Sequence, residues 1–261
     1  MQILVDARHL APLLLAVLLA ACAAGTRPPH ELPWSATRQF VLVVTADWDT
    51  SHGTLRTYAR DADAWRSTGV AVPVVIGRNG AAWGVGLHPA QTDGPIKHEG
   101  DGRSPAGVFA IGTAFGYAAA ENLALPYRAL AADDYCVDVS SSPLYNRIVA
   151  AHDVGAAAVT GSTEPMRRDI HANGDDAYKV GFVIEHNPTG TPGSGSCIFA
   201  HLWKSSESST SGCTAMAEPA LRELLHWLQP QQQPVIALLP QSAYHRLRQA
   251  WQLPDVAENA Q

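Results

Sequence analysis

Apolar and polar positions along this chain alternate, or run together, in the way strands require more often than in the way helices require. Residues 39–46 (QFVLVVTA) form a continuous apolar run that suits a buried strand. Residues 54–59 alternate more loosely and are placed to pair with it across the turn-forming stretch 49–53. Residues 70–76 predict another strand, and Gly77-Arg78-Asn79-Gly80 marks a turn before Trp83-Gly84-Val85-Gly86. A polar, glycine-rich loop over 97–107 leads into a strand over 108–111, whereas 113–146 carries little periodic signal and reads as irregular. Residues 180–186 (VGFVIEH) and 196–203 (SCIFAHLW) predict two strands separated by turn-rich 187–195. In the second of these, period-two alternation puts Cys197, Phe199, His201 and Trp203 on one face and Ile198, Ala200 and Leu202 on the other.

Helical periodicity is confined to the C-terminal part. Leu221, Leu224, Leu225 and Leu228 make an apolar stripe, with Pro219 suited to the first helical position and Pro230 as the stop. A strand over 235–239 follows, then a last helix over 242–253 with Leu247, Ala250 and Trp251 facing inward. No internal repeat is present. The pattern therefore predicts one mostly-β (α+β) domain over residues 36–254, with one or two C-terminal helices and a frayed tail over 255–261.

Composition narrows the classes. With 46% hydrophobic and 16% charged residues, the chain has the material for a globular core. A formal net charge of -6 and the absence of any Lys/Arg cluster exclude an electrostatic nucleic-acid binder. The 97–107 loop lacks the spacing of a phosphate-binding P-loop.

At the N-terminus, Arg8 and His9 precede an apolar run over residues 10–21 that is short for a membrane span. The run ends Leu19-Ala20-Ala21-Cys22, which resembles the bacterial lipobox, with cleavage before Cys22 and lipid on its thiol. An ordinary secretory signal is the other reading of residues 1–22, and both make the mature chain an exported protein. Ala23 in place of Asp favours the outer membrane, by resemblance to Gram-negative lipoproteins. Residues 23–35, with Pro28, Pro29 and Pro33, suit a tether between membrane and domain.

Setting Cys22 aside leaves Cys136, Cys197 and Cys213, an odd number in an exported protein. Pairing Cys136 with Cys197 leaves Cys213 as a free, reactive thiol; three reduced, buried thiols are the alternative.

The chemistry concentrates in residues 198–216 (IFAHLWKSSESSTSGCTAM). His201 lies on the apolar strand, and twelve positions later Cys213 follows Thr210-Ser211-Gly212. A thiolate nucleophile needs a base within reach and backbone N–H groups aimed at the oxyanion, and this segment contains both. Glycine before the cysteine lets the chain turn sharply and lets a substrate carbonyl approach. A buried structural cysteine beside a hydrogen-bonded histidine is the inert alternative.

The run resembles the catalytic signature of the L,D-transpeptidases, the YkuD family: a strand histidine, a loop, then Ser/Thr-x-Gly-Cys, here His201, Thr210, Gly212 and Cys213, closed by Met216. Arg103-Ser104-Pro105-Ala106-Gly107-Val108-Phe109 is similar to the family's upstream Thr-Pro-x-Gly-x-Phe element, so the resemblance covers about residues 70–239. Two positions depart from the pattern. Leu202 stands where most members have Gly or Ser after the histidine, and Ala215 stands where many carry Arg two residues after the cysteine.

The resemblance implies a mixed β-sandwich and acyl transfer on peptidoglycan stem peptides. Cys213 attacks the carbonyl of the third residue, His201 protonates the leaving terminal D-Ala, and Ser211 and Gly212 supply backbone donors. An amine or water resolves the thioester, without cofactor or metal. Thr210, His186, Tyr178 and Asn187 are the candidate substrate contacts beside that pair. His186 and Asn187 read equally as a strand end capping a turn, and Tyr178 as a packed ring. Lys97, Glu99, Asp101 and Arg103 bind zwitterionic peptide ends or form a solvated loop. His171 and Asp175-Asp176 show no spacing that argues for a site. A zinc site built from His186, His201, Cys197 and Cys213 matches no common ligand spacing, and no Cys-x-x-Cys is present for a disulfide oxidoreductase. The rival to an enzyme is a non-catalytic lipoprotein that binds the cell wall. The expected location is the periplasm, with an outer-membrane anchor at Cys22, and the expected state is a monomer.

Overall fold

In a computed structural model, residues 31–62 and 64–256 are described. The signal segment, Cys22 and most of the tether lie outside them. Strand outweighs helix, at 32% against 14% of the chain, as the alternation predicts. No helix among the described residues is long and apolar enough to cross a membrane.

The first five strands are β1 (Gln39–Thr45), β2 (His52–Asp61), β3 (Ala64–Ser67), β4 (Val72–Val75) and β5 (Ala81–Trp83). The long β6 (Ser104–Gly116) is followed by β7 (Tyr127–Ala129), β8 (Asp134–Cys136) and β9 (Ile148–Ala150). Then come the one-turn helix α1 (Ala151–Val154), β10 (Glu164–Pro165) and the one-turn helix α2 (Arg168–His171). The C-terminal part contains β11 (Val180–Ile184), β12 (Phe199–Leu202), β13 (Thr214–Met216), α3 (Glu218–Trp227), β14 (Val235–Pro240) and α4 (Gln241–Leu247).

The large sheet runs β1-β14-β6-β11-β12-β13-β4-β2, and β2 pairs again with β1. It is thus a closed mixed barrel, where the sequence led us to expect a sandwich. Closure follows from β1, which is antiparallel to β2 on one edge and parallel to β14 on the other, Phe40 lying opposite Val235. A strand paired on both edges and packed on both faces reads as a continuous apolar run, and β1 is buried at six of its seven positions. β8, β9 and β10 form a separate three-stranded sheet.

Cys136 of β8 is disulfide-bonded to Cys197, two residues before β12, and Cys213 is the free cysteine. The bridge ties the small sheet to the barrel strand that carries His201.

β12 keeps the expected alternation. Ile198, Ala200 and Leu202 join the main core with Leu221, Leu224, Leu225 and Leu228 around α3. Cys197 and Phe199 join a second cluster with Phe115, Met166, Tyr178 and Cys213.

Several expectations need correction. Residues 113–146 are not irregular throughout, because β6 continues to Gly116 and β7 and β8 follow. The exposed or half-buried stretch at 110–113 breaks the apolar signal in the middle of β6. The helices at 151–154 and 168–171 are single turns, too short to show a helical period. α3 begins one residue before Pro219, which therefore sits at the second helical position. α4 ends at Leu247, and the chain then turns; Trp251 still points inward, but Ala250 is exposed.

Packing also reaches past both ends of the expected 36–254 span. Trp34 is buried edge-on against Trp251 at 5.7 Å, and the Val256 N–H donates to the Tyr244 hydroxyl at 2.8 Å.

Candidate active site

β12 and β13 run parallel, with His201 opposite Ala215. Cys213 immediately precedes β13, and residues two apart on a strand share a face. Cys213, Ala215 and His201 therefore face the same way, and all three line a pocket of about 600 Å3.

The loop before Cys213 is held from four directions. Thr210 Oγ1 donates to the Cys213 carbonyl at 2.7 Å and accepts the Gly212 N–H at 3.1 Å. Ser104 Oγ donates to the same carbonyl at 3.0 Å and accepts the Gly77 N–H at 2.9 Å. The Arg78 N–H donates to the Thr210 carbonyl at 2.8 Å, and the Thr210 N–H to the Ile76 carbonyl at 2.9 Å. Gly212 has a φ of +154°, and a Cβ there would sit 3.0 Å from the Arg103 carbonyl oxygen, so glycine is required at this turn.

The upstream motif is thereby explained. Ser104 anchors the loop before Cys213. Gly107, at φ +135°, admits the His88 ring, which a Cβ would meet at 1.9 Å. Phe109 is buried in the main core.

Cys213 is 8% exposed. Its thiol donates to the Cys197 carbonyl at 3.4 Å, and its sulfur accepts the Phe199 N–H at 3.3 Å. Burial, followed by the nearby negative charge of Glu164, pushes the thiol up to about 12. His201 is equally buried, and loss of solvent brings its imidazole down to about 4. Its Nδ1 lies 2.8 Å from the Leu202 carbonyl. A carbonyl only accepts, so Nδ1 carries the proton and Nε2 keeps its lone pair. The resting pair is neutral thiol and neutral imidazole. The backbone of Leu202 orients the ring, as a glycine or serine backbone would.

Tyr178 packs its ring edge-on against His201 at 5.1 Å and also against Phe115 and Phe199. Its hydroxyl donates to Glu164 Oε1 at 2.8 Å. The proton that would stabilise an oxyanion is thus committed, and Tyr178 sets the position of the ring rather than contacting substrate through its hydroxyl. Burial raises the Glu164 carboxyl above the usual range, while Arg168 reaches it at 3.4 Å and Asp175 at 2.8 Å. Glu164, Arg168 and Asp175 all line the pocket.

The other expected contacts divide. Thr210 and Ser211 line the pocket, although the Thr210 hydroxyl is used inside its own loop and Ser211 Oγ accepts from Arg78 Nη1 at 3.0 Å. His186 and Asn187 do not line it. The Nδ1 of His186 accepts the Val85 N–H at 3.2 Å, and its Nε2 bonds the Ser194 carbonyl at 2.9 Å. Asn187, fully buried at φ +50°, donates to the Thr191 and Gly195 carbonyls and accepts the Thr191 N–H. Both residues knit the 187–195 loop to the barrel, and neither is available to substrate.

The 97–103 loop is neither a solvated loop nor a uniform binding patch. Lys97 is buried against Asp101 at 2.5 Å. Glu99 accepts from Tyr145 and from Ser196 Oγ, the latter at 2.6 Å. Arg103 turns away to Asp49 at 2.8 Å. Cys197 is in the disulfide, which removes it from the ligand set considered for zinc.

The sequence reading missed Arg78, Glu164, Arg168 and Asp175 as pocket residues, and Ser104 as the anchor of the loop before Cys213. Ser104 had a signal, its place in the upstream motif. The others come from turns and short elements whose approach to Cys213 no local pattern encodes.

Barrel and pocket define a class: a mostly-β protein with a buried thiol and a buried imidazole lining one pocket at two parallel strands. Comparison with protein-family models, with curated proteins and with solved structures finds no significant match.

Proposed function

We propose that this chain is a cysteine acyltransferase of the L,D-transpeptidase type, acting on peptidoglycan stem peptides. The observation that carries the reading is His201 Nε2, which has no hydrogen-bond partner among the described residues, on a side chain that lines the same pocket as their one free thiol. With Nδ1 fixed as donor, Nε2 takes the Cys213 proton as the sulfur attacks the carbonyl, and returns it to the leaving amine. The neutral resting pair means that the thiolate forms during attack rather than before it. The Gly212 N–H already donates to Thr210, so Ser211 and Cys213 supply the backbone donors for the oxyanion. An amine then resolves the thioester to a cross-link, or water resolves it to a shortened stem. The residues that act here need neither metal nor cofactor.

In this reading the domain works as a monomer in the periplasm, anchored to the outer membrane through a lipid on Cys22, and its partners are stem peptides and membrane but no nucleic acid. The family's sandwich fold is part of the same proposal only in its coarser form, mostly β with few helices.

One observation favours the rival, a wall-binding lipoprotein without turnover: the Cys213 thiol is buried, hydrogen-bonded and held protonated. Incubating the lipid-free protein with defined muropeptides and weighing the products separates the two. New cross-links or shortened stems, lost in Cys213→Ala, support the enzyme. Bound but unchanged muropeptides support the rival.

A further inference from the structure

The charged groups around the pocket are not equivalent. Arg168 is neutralised by Asp175 at 2.8 Å and Glu164 at 3.4 Å, and Lys97 by Asp101 at 2.5 Å. Glu99 is satisfied by Tyr145 and Ser196, and Asp138 accepts the Thr163 N–H at 2.9 Å. Arg78 is different. It lines the pocket, it is exposed, and among the described residues no carboxylate lies within ion-pair distance of it. Its only side-chain hydrogen bond among the described residues goes from Nη1 to the neutral Ser211 hydroxyl at 3.0 Å, two residues before Cys213. Lys204 also has no carboxylate within ion-pair distance among the described residues, but its charge already acts on Asp175 and no side-chain hydrogen bond fixes it.

Arg78 is, by contrast, built into place. Its N–H is bonded to the Thr210 carbonyl at 2.8 Å, and Gly77 forms a parallel bridge with Thr210. The next residue, Asn79, donates from its backbone to the Gly102 carbonyl at 3.0 Å and from its side chain to the Asp101 carbonyl at 2.7 Å. The guanidinium lies over Gly102, where a Cβ would stand 3.0 Å from its Cζ. A guanidinium offers five donors in a planar fork, and one bond to a hydroxyl leaves most of them unused in the pocket that Cys213 also lines.

We propose that Arg78 is the specificity-determining residue of this pocket and binds a free carboxylate of the acyl-donor peptide on the Ser211 side of Cys213. This rests on the acyltransferase reading for the identity of the peptide, but not for the carboxylate preference of the pocket. An ionised carboxylate is the natural partner of a fixed fork, through two parallel charge-assisted bonds. A donor whose carboxylate is amidated loses that pairing, so Arg78 selects stems by the charge of this group.

The test uses two alkylating agents that differ in charge. Iodoacetate carries a carboxylate and iodoacetamide does not, and both label Cys213 whatever the natural substrate is. The expected result is that the iodoacetate-to-iodoacetamide rate ratio at Cys213 falls about tenfold in Arg78→Ala and Arg78→Gln, while the iodoacetamide rate alone stays unchanged. Arg78→Lys retains part of the ratio. An unchanged ratio in both neutral variants overturns the proposal. So does a parallel fall in both rates, which signals a disturbed loop instead of a lost anion site. With stem peptides, KM for a free-carboxylate donor rises in Arg78→Gln and KM for the amidated donor does not. If no stem peptide reacts but the alkylation ratio behaves as stated, the acyltransferase reading fails and the carboxylate site stands.

Discussion

Two buried histidines, carried by the adjacent strands β11 and β12 or just beyond them, differ in what they can do. His186 and His201 both sit at or just beyond a barrel strand, both are at most 8% exposed, and loss of solvent lowers both imidazoles to about 4. Burial and basicity therefore do not tell them apart. Their nitrogens do. His186 has partners on both, the Val85 N–H and the Ser194 carbonyl. Among the described residues His201 has one, the Leu202 carbonyl, and its side chain lines the pocket that contains Cys213. A fully bonded imidazole is a cross-brace for the backbone; in the acyltransferase reading, a half-bonded one that shares a pocket with a thiol acts as its base.

Substitution is the strongest way to break this comparison. His201→Gln is expected to lower turnover of a stem peptide by about a hundredfold or more, with the protein still folded. His186→Gln leaves turnover per folded molecule within a few-fold of the wild type. It costs about 3 kcal/mol in urea denaturation, because it disturbs the bonds to a buried N–H and a buried carbonyl. Equal losses of turnover in the two variants would dissolve the distinction.

Acid affects the two residues in the same direction. Each is held neutral down to about 4 when folded, against 6.5 when exposed. Below pH 6.5 the unfolded chain gains protons that the folded chain does not, so stability is fully present above pH 6.5 and is lost as pH falls toward 4. The loss is up to about 3 kcal/mol per histidine. Denaturation midpoints measured from pH 7 to pH 4 should show it, and each Gln variant should flatten its own share. Cys213 acts oppositely at high pH. Its raised thiol contributes stability below about 9 that is lost as pH rises toward 12.

Replacing Cys136 and Cys197 by serine sharpens the comparison from the pocket side. The bridge spans 61 residues of sequence, and its loss costs about 2–4 kcal/mol. It also loosens the Cys197 carbonyl that accepts the Cys213 thiol, so Cys213 alkylation accelerates. The smallest effect is expected of Tyr178→Phe. This removes the bond to Glu164 but keeps the ring against His201, costing about 1 kcal/mol and less than tenfold in turnover.

Much of this was legible in the sequence wherever a period of two operates. The alternation of 197–203 separates Cys197 and Phe199 from Ile198, Ala200 and Leu202, as the two packing clusters do, and His201 packs against Tyr178 of the second cluster. Counting cysteines picked out Cys213 as the free thiol. Barrel closure was not legible, because it depends on β1 accepting β14 from nearly two hundred residues away. His186-Asn187 and His201-Leu202 look alike as strand-end histidines. Only the Ser194 carbonyl of the 187–195 loop and the Val85 N–H beyond β5, both bonded to His186, tell the two apart. Arg78 was visible only as part of a turn, since its proximity to Ser211 follows from the bridge between Gly77 and Thr210.

The central claim is that Cys213 attacks with His201 Nε2 as its base. Rapid quenching of the protein with a tetrapeptide stem, followed by intact mass and peptide mapping, tests it most directly. The account predicts one thioester adduct on the Cys213 peptide, absent in Cys213→Ala, formed about a hundredfold more slowly in His201→Gln and at the wild-type rate in His186→Gln. Adduct formation at the same rate in His201→Gln and wild type, or no adduct at all while iodoacetamide still labels Cys213, would contradict it.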